Sequence, residues 1–243
     1  MQNKNYKSVL MAVLALLLFS FQSCGFDVNA VKGDGNVVSR DTEVGFFDAI
    51  EASGMFRIIL EKGTQPGVRV TTDENLHEYI TVKVQNNTLE LSMRRNQTYN
   101  PTRLEVFVTY TDLQRINMSG ATSLSADDPI ETQRLELDLS GAGELKLLVA
   151  TQVLKTSVSG AGSIQIEGNA AQHHMQLSGA ASVKCADLIT RETIISLSGA
   201  GSADVYATET LHATLSGVGS IRYGGDPENT RINKSGLGTI RPL

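Results

Sequence analysis

Carboxylates, histidines and serines are the side chains of this 243-residue chain that could do chemistry, and most of them recur at a fixed interval. Polysaccharide cleavage or elimination needs two or three carboxylates close together, or a calcium site beside a base. Asp138 and Asp204 are the candidates for that work. A metal centre would draw on His173, His174 and His212. A nucleophilic serine could come from Ser119, Ser140, Ser159, Ser178, Ser198, Ser216 or Ser235, each followed by glycine. A phosphate loop needs Gly-Lys-Ser/Thr after its glycines, and none of the Gly-x-Gly pairs here leads into one.

The elements that would position these groups are written in the same interval. Each of the seven serines opens a phrase close to Ser-Gly-Ala-Gly-Ser, and the phrases begin 21, 19, 19, 20, 18 and 19 residues apart. A period near 19 marks a stacked array. One residue before the serine stand Met118, Leu139, Val158, Leu177, Leu197 and Leu215, with Lys234 in the last copy. Three before it, apolar residues such as Ile116, Leu137, Met175 and Ile195 dominate, and between the two columns every residue is polar. Beyond the glycines the alternation resumes with Leu124, Leu145, Ile164, Val183, Ala203 and Ile221 facing one way. Period-2 alternation on both sides of a small-residue corner describes two strands with one buried face. Units this short must stack on their copies, so the expected fold is all-β, a parallel β-helix or β-solenoid. Seven coils at about 4.8 Å spacing make a stack of roughly 34 Å. Glycine at the corner is expected to adopt positive φ and to let the chain bend beside its copies. The serines are expected to form two ladders, Ser119 to Ser235 and Ser123 to Thr239, bonding each other and the corner amides, a structural rather than a nucleophilic role.

Set on that frame, the candidate chemistry thins out. Asp138 lies between Asn117 and Ser157 in its outward column, and Asp204 between Lys184 and Arg222, the charge alternation of ordinary cross-strand compensation. His174 and His212 share a column but are two coils apart, roughly 10 Å, too far for one ion. The histidines therefore read as solvated, and neither a metal nor a cofactor is implied. Cys185 falls in the inward column of Leu147, Ile166 and Val205 and reads as a small hydrophobe. With no Trp and 5% aromatics there is no evident stacking platform for sugar rings. The place where a ligand fits best is the segment 61–110, which breaks the repeat and carries Tyr79, Arg94, Arg95, Tyr99 and Arg103; a solvated loop with scattered charge is the alternative.

The N-terminus gives an address. Lys4 and Lys7 precede an apolar stretch from Val9 to Phe19, and Ser23 stands before Cys24. A basic region, a short apolar core and a small residue before the cut make residues 1–23 a secretory signal. The cysteine at the cut resembles a bacterial lipoprotein signal, in which Cys24 is lipidated; an ordinary signal peptide with an incidental cysteine is the alternative. Removal of Lys4 and Lys7 takes the formal charge from −5 to −7, an acidic balance that argues against nucleic acid. A polar tether, Gly25 to about Asp34, opens a leading stretch of 24–44. Residues 45–115 hold a first coil, around Ser53, and an irregular β cap. In that cap, runs at 68–72, 80–84, 89–93 and 104–110 alternate, 85–88 reads as a hairpin turn, and 73–79 as one helical turn or a loop. Residues 116–243 are the solenoid repeats.

With the signal, the Phe47-Asp48-Ala49-Ile50-Glu51-Ala52-Ser53-Gly54 opening, the Thr72-Asp73-Glu74-Asn75-Leu76 segment and the corner phrases in place, the chain resembles the head GIN domain family over about residues 45–240. That family is labelled putative auto-transporter adhesin and is frequent in Bacteroidetes envelopes. The resemblance implies a β-helical body, right-handed, and an envelope location, and it supplies no catalytic motif. The expectation is a non-enzymatic, lipid-anchored envelope protein at the outer membrane, on its periplasmic or surface face, that presents a β-helical surface to glycan or protein. A pectinase-like β-helix enzyme and a binder of lipid or another apolar ligand at the junction of cap and solenoid are the alternatives.

Overall fold

The computed structural model describes residues 30–243, so the expected signal peptide, Cys24 and the start of the tether lie outside the described residues. In chain order the first strands are β1 (Val31–Lys32), β2 (Val37–Glu43), β3 (Ala49–Gly54), β4 (Arg57–Lys62) and β5 (Gly67–Asp73). A 3-10 helix, Glu74–Tyr79, leads to β6 (Ile80–Gln85), β7 (Thr88–Met93), β8 (Tyr99–Asn100) and β9 (Leu104–Tyr110). The repeats supply β10 (Arg115–Gly120), β11 (Ser123–Ala126), β12 (Ile130–Leu139), β13 (Ala142–Val158), β14 (Ala161–Leu177) and β15 (Ala180–Lys184). They continue through β16 (Leu188–Leu197), β17 (Ser202–Tyr206), β18 (Thr210–Leu215), β19 (Ser220–Gly224), β20 (Asn229–Lys234) and β21 (Thr239–Pro242). Two units result. In the small one, β1 and β8 pair in parallel, Val31 beside Tyr99. The large one, 33–95 and 101–243, is a β-solenoid of about seven turns with a spacing near 19 residues.

Its coils stack in two sheets because each copy places the same residue type at the same height. The strands before the corner pair in parallel from β3 through β10, β12, the later halves of β13 and β14, β16 and β18 to β20. Their registers align Leu139 with Val158, Val158 with Leu177, and Leu177 with Leu197, the columns expected from the alternation. The strands after the corner pair from β4 through β11, the early halves of β13 and β14, β15, β17 and β19 to β21. There Leu145, Ile164, Val183, Ala203 and Ile221 face the core, none more than 1% exposed. Cys185 lies in the same interior, and burial, the main cause, pushes its thiol up to about 12, so it packs as an inert hydrophobe.

Two expectations at the corner are corrected. Only Gly54 and Gly120 among the first corner glycines have positive φ. At Gly141, Gly160, Gly179, Gly199, Gly217 and Gly236 the reason for glycine is close approach. A Cβ on any of them would fall 1.8–2.0 Å from the carbonyl oxygen of the glycine one coil before. The serine ladder bonds to the backbone instead of to itself: the Ser140, Ser159, Ser178 and Ser198 hydroxyls donate to the carbonyls of Met118, Leu139, Val158 and Leu177 at 3.4–3.5 Å. Each of those carbonyls also accepts the N–H of the same serine at 2.8–3.0 Å, so the hydroxyl is a long second bond on a carbonyl already used.

The N-terminal region extends both sheets. On one side β7 adds in parallel to β3, and β6 closes on β7 through Asn86 and Asn87, both at left-handed φ as a two-residue hairpin turn requires. On the other side β9 adds in parallel to β4, followed by β5 and β2, both antiparallel. The 3-10 helix crosses from β5 to β6 and buries Leu76 completely. Asp73, fully buried at its start, accepts the N–H groups of Gly35 at 2.9 Å and Thr102 at 2.7 Å. Burial alone would raise its pKa, but the bonds from Thr102 and Gly35 outweigh it and hold the carboxylate below its usual range. The loop before β2 and the turn before β9 are thereby tied to one anionic post. The leading stretch 24–44 is accordingly more than a tether, since Val37–Glu43 is a seven-residue strand of the sheet.

Candidate functional site

A depression of about 990 Å³ in the solenoid unit lies opposite the corner phrases, where each coil turns back from one sheet to the other. It crosses the coils and runs perpendicular to the strands. Registered residues from successive coils build its floor: Thr132 pairs with Thr151, Thr151 with Ala170, and Ala170 with Thr190. The Thr132 and Thr151 hydroxyls donate to the carbonyls of Arg134 and Val153 two residues on, which fixes the bend. Thr190 turns its hydroxyl inward to the Tyr206 carbonyl and to Thr193. The walls are exposed side chains: Gln133 and Gln152 on one side, Asn169 and Ile189 on the other, with Arg191 at one end. Gln133, Gln152, Asn169 and Arg191 make no side-chain hydrogen bond to another described residue. Charge at this groove is mostly compensated. Glu131 bonds Lys62 at 2.6 Å, which holds its carboxyl below the usual range, and Arg134 forks onto Glu136 at 2.9 and 3.1 Å.

A second groove, about 550 Å³, runs along the outward column Asn117, Asp138, Ser157, Gln176 and Ser196 beside the serine ladder. Asp138 is its sole carboxylate among those lining residues. Asp204 is elsewhere, gripped bidentately by Arg222 at 2.7 and 2.5 Å. That ion pair raises the arginine's pKa and leaves the carboxylate committed to a structural partner. Among the described residues no three His, Cys, Asp or Glu side chains converge where a metal ion could be held. His174 and His212 are separated by Ile194 in the registered column. His173 corrects the solvated reading. It is 1% exposed in the column of Leu154 and Thr193, and its Nε2 lies 3.1 Å from the Thr156 hydroxyl. Burial, reinforced by neighbouring His174, lowers its pKa to about 3, so the ring is neutral.

The five residues of the irregular segment are only partly brought together. Tyr79, Arg94 and Arg95 line a third groove of about 350 Å³ with Glu51, Glu78 and Glu90, and the Arg94 guanidinium lies over the Tyr79 ring at 5.0 Å. Arg103 lies apart and pairs with Glu105. Tyr99 belongs to the small unit, where it is 6% exposed with its hydroxyl donating to Gln97, so it presents no surface. A depression at the N-terminal end, lined by Arg40, Thr42, Val70, His77, Ile80 and Val82, holds about 200 Å³, under the roughly 300 Å³ at which small-molecule pockets begin. Sequence reasoning missed the groove over the coil returns altogether. A signal for it exists within the chain: the corner phrase is nearly constant, whereas the return residues change from Glu131 to Ala150, Asn169 and Ile189.

Comparison with known proteins agrees with the architecture. No curated protein matches the sequence. Among solved structures, an adhesin from Bacteroides fragilis NCTC 9343, described as putative, superposes with a TM-score of 0.86 at 25% identity, covering 88% of this chain and 100% of that one. A second such adhesin, from Parabacteroides merdae ATCC 43184, gives 0.70 at 23% identity over 89% and 100%. A protein from Parabacteroides distasonis ATCC 8503 described as a putative lipid binding protein gives 0.69 at 24% over 88% and 99%. The last two likenesses establish the fold. The family model described as "putative auto-transporter adhesin, head GIN domain" matches residues 46–227, and with the first-coil opening, the buried Asp73 and the corner phrases from Ser119 to Ser216 inside that span, the chain belongs to this family.

Proposed function

We propose that this chain is a non-enzymatic interaction module of the bacterial cell envelope, adhesin-like, anchored through a lipid on Cys24 and presenting the grooved surface of its solenoid to an extracellular or periplasmic partner. The observation that carries the reading is the groove of about 990 Å³ over the coil returns, where the exposed amides of Gln133, Gln152 and Asn169 have no partner among the described residues. Polar side chains held at fixed spacing by a rigid scaffold, with the carboxylates of Glu131 and Asp112 engaged by Lys62 and by Gln114 and the Leu113 N–H, suit recognition better than bond cleavage. The adhesin descriptions of the family and of the Bacteroides fragilis structure point the same way. The first test runs the full chain, purified in detergent, on a glycan array beside a reducing-end release assay on the same polysaccharides. Binding without release is expected. Release that Asp138→Ala or Asp204→Ala abolishes would overturn the reading in favour of a carbohydrate-active enzyme. Labelling with a fatty-acid analogue checks the anchor: incorporation should be lost in Cys24→Ala, and equal incorporation by that variant would place any acylation elsewhere.

A further inference from the structure

We infer that the groove over the coil returns is a binding site for a neutral polysaccharide chain lying across the coils; the inference rests on the interaction-module reading and names its site and ligand class. The spacing comes first. From Thr132 to Thr208 the groove touches five successive coil levels, so its length is roughly 19 Å at the usual strand separation, enough for a polymer segment and too long for a single small metabolite. The backbone comes next. The strands beneath the groove are already paired to the coil on either side. No open sheet edge is presented there, so a peptide cannot bind by adding a strand, its usual main-chain route. Recognition has to be by side chains.

Those side chains are amides and hydroxyls. Gln133 and Gln152 sit on adjacent coils, between the registered pairs Thr132–Thr151 and Arg134–Val153, and Asn169 follows one coil on beside Ala150. Each amide offers a donor and an acceptor, the match for a ring hydroxyl, which is also both. The floor of Thr151, Ala170 and Thr190 is small and low, and Ile189, 52% exposed, gives an apolar shelf on which a ring face can rest. Charge selects against polyanions. Glu131 and Arg134 are already paired, the Asp112 carboxylate accepts from Gln114 and the Leu113 N–H, Arg191 sits at one end, and the whole chain carries −5, a net repulsion for a uronic-acid polymer.

Affinity electrophoresis of the full chain in detergent, with a neutral β-glucan, a neutral mannan and the polyanion polygalacturonate in the gel, tests this. At least one neutral polymer should retard the wild type and polygalacturonate should not. The double variant Gln133→Ala/Gln152→Ala should weaken retardation about tenfold, as expected for two hydrogen bonds lost, and Ala150→Trp should abolish it by filling the groove. All are exposed positions, and unchanged melting temperatures confirm folding. Arg95→Ala in the third groove and Gln176→Ala in the second should bind as the wild type. Retardation that survives the return-groove variants, or that falls with Arg95→Ala or Gln176→Ala, overturns the site while leaving the module reading intact. Retardation by polygalacturonate alone overturns the ligand class. No retardation by any polymer, with capture of a protein ligand instead, overturns the glycan inference and again spares the broader reading; polymer shortened during the run overturns both.

Discussion

Gly160→Ala isolates the force that keeps the corner columns free of side chains. Gly160 has no left-handed φ, so alanine meets no backbone penalty there. The obstacle is steric: an ideal Cβ falls 1.8 Å from the Gly141 oxygen and 2.8 Å from its carbon. Relief to even 3.0 Å demands about 1.2 Å of separation between two backbones, and the same Gly141 oxygen accepts the Ala161 N–H at 3.0 Å. Parting the coils that far breaks the bond, at about 1–3 kcal/mol, and adds overpacking strain of about 1–3 kcal/mol. The lower entropy of the unfolded alanine chain returns about 0.4–1 kcal/mol, so the net loss should lie between roughly 1 and 5 kcal/mol, centred near 3. The internal control is Gly162→Ala. Its Cβ would lie 2.1 Å from the Gly143 oxygen, yet its own column admits Thr122 and Ala181, both buried. Coils that open for those two residues can open for a third, and the cost should stay near 1 kcal/mol, the centre of the usual range for point substitutions. Urea unfolding followed by far-ultraviolet circular dichroism measures both. A Gly160→Ala protein within about 0.5 kcal/mol of the wild type, the scatter of surface substitutions, would refute the close-approach account.

The faces of the coil can be checked by Leu177→Asp, which puts a carboxylate where Leu177 is 3% exposed between Val158 and Leu197, at a cost of several kcal/mol; Gln165→Ala, on the outward face, should change the melting temperature little, and the reverse ranking would invert the assignment. His173 predicts a pH dependence. Its pKa is lowered to about 3 in the folded chain and returns to about 6.5 on unfolding, so the unfolded state alone takes up the proton as pH falls below about 6.5. The stability tied to the neutral ring is complete above that value and drains at up to about 1.4 kcal/mol per pH unit toward pH 3. His173→Leu should flatten the difference in unfolding free energy between pH 7 and pH 5, and an unchanged slope would show that the imidazole is not dry.

The parts legible from sequence are those where a residue meets its own copies. Leu139, Val158, Leu177 and Leu197 touch one another in register, so the same pressure acts on every repeat and the period shows. The alternation reached further than it was followed. Counting five residues before the serines of the five middle copies, Ser140 to Ser216, gives Leu135, Leu154, His173, Thr193 and Leu211, all buried, and the company of three leucines already places His173 inside. The reason for the corner glycines was not legible, because positive φ and close approach leave the same letter in the sequence; only the distance from Gly160 to the Gly141 oxygen separates them.

The return groove was hidden for the opposite reason. Gln133, Gln152 and Asn169 point away from the stack, so no copy constrains another, and a list of polar residues at a bend looks like solvated surface. Their value lies in being held one coil apart without mutual bonds. The irregular segment drew attention because it broke the repeat, yet the structure spends that irregularity on closing the N-terminal end: Leu76 is buried beneath the 3-10 helix, and Asp73 ties Gly35 to Thr102. In a solenoid, departure from the repeat can therefore mark an end as readily as a site. A site can instead be assembled from the repeat itself, at the one bend where the core columns place no demand on the outward side chain.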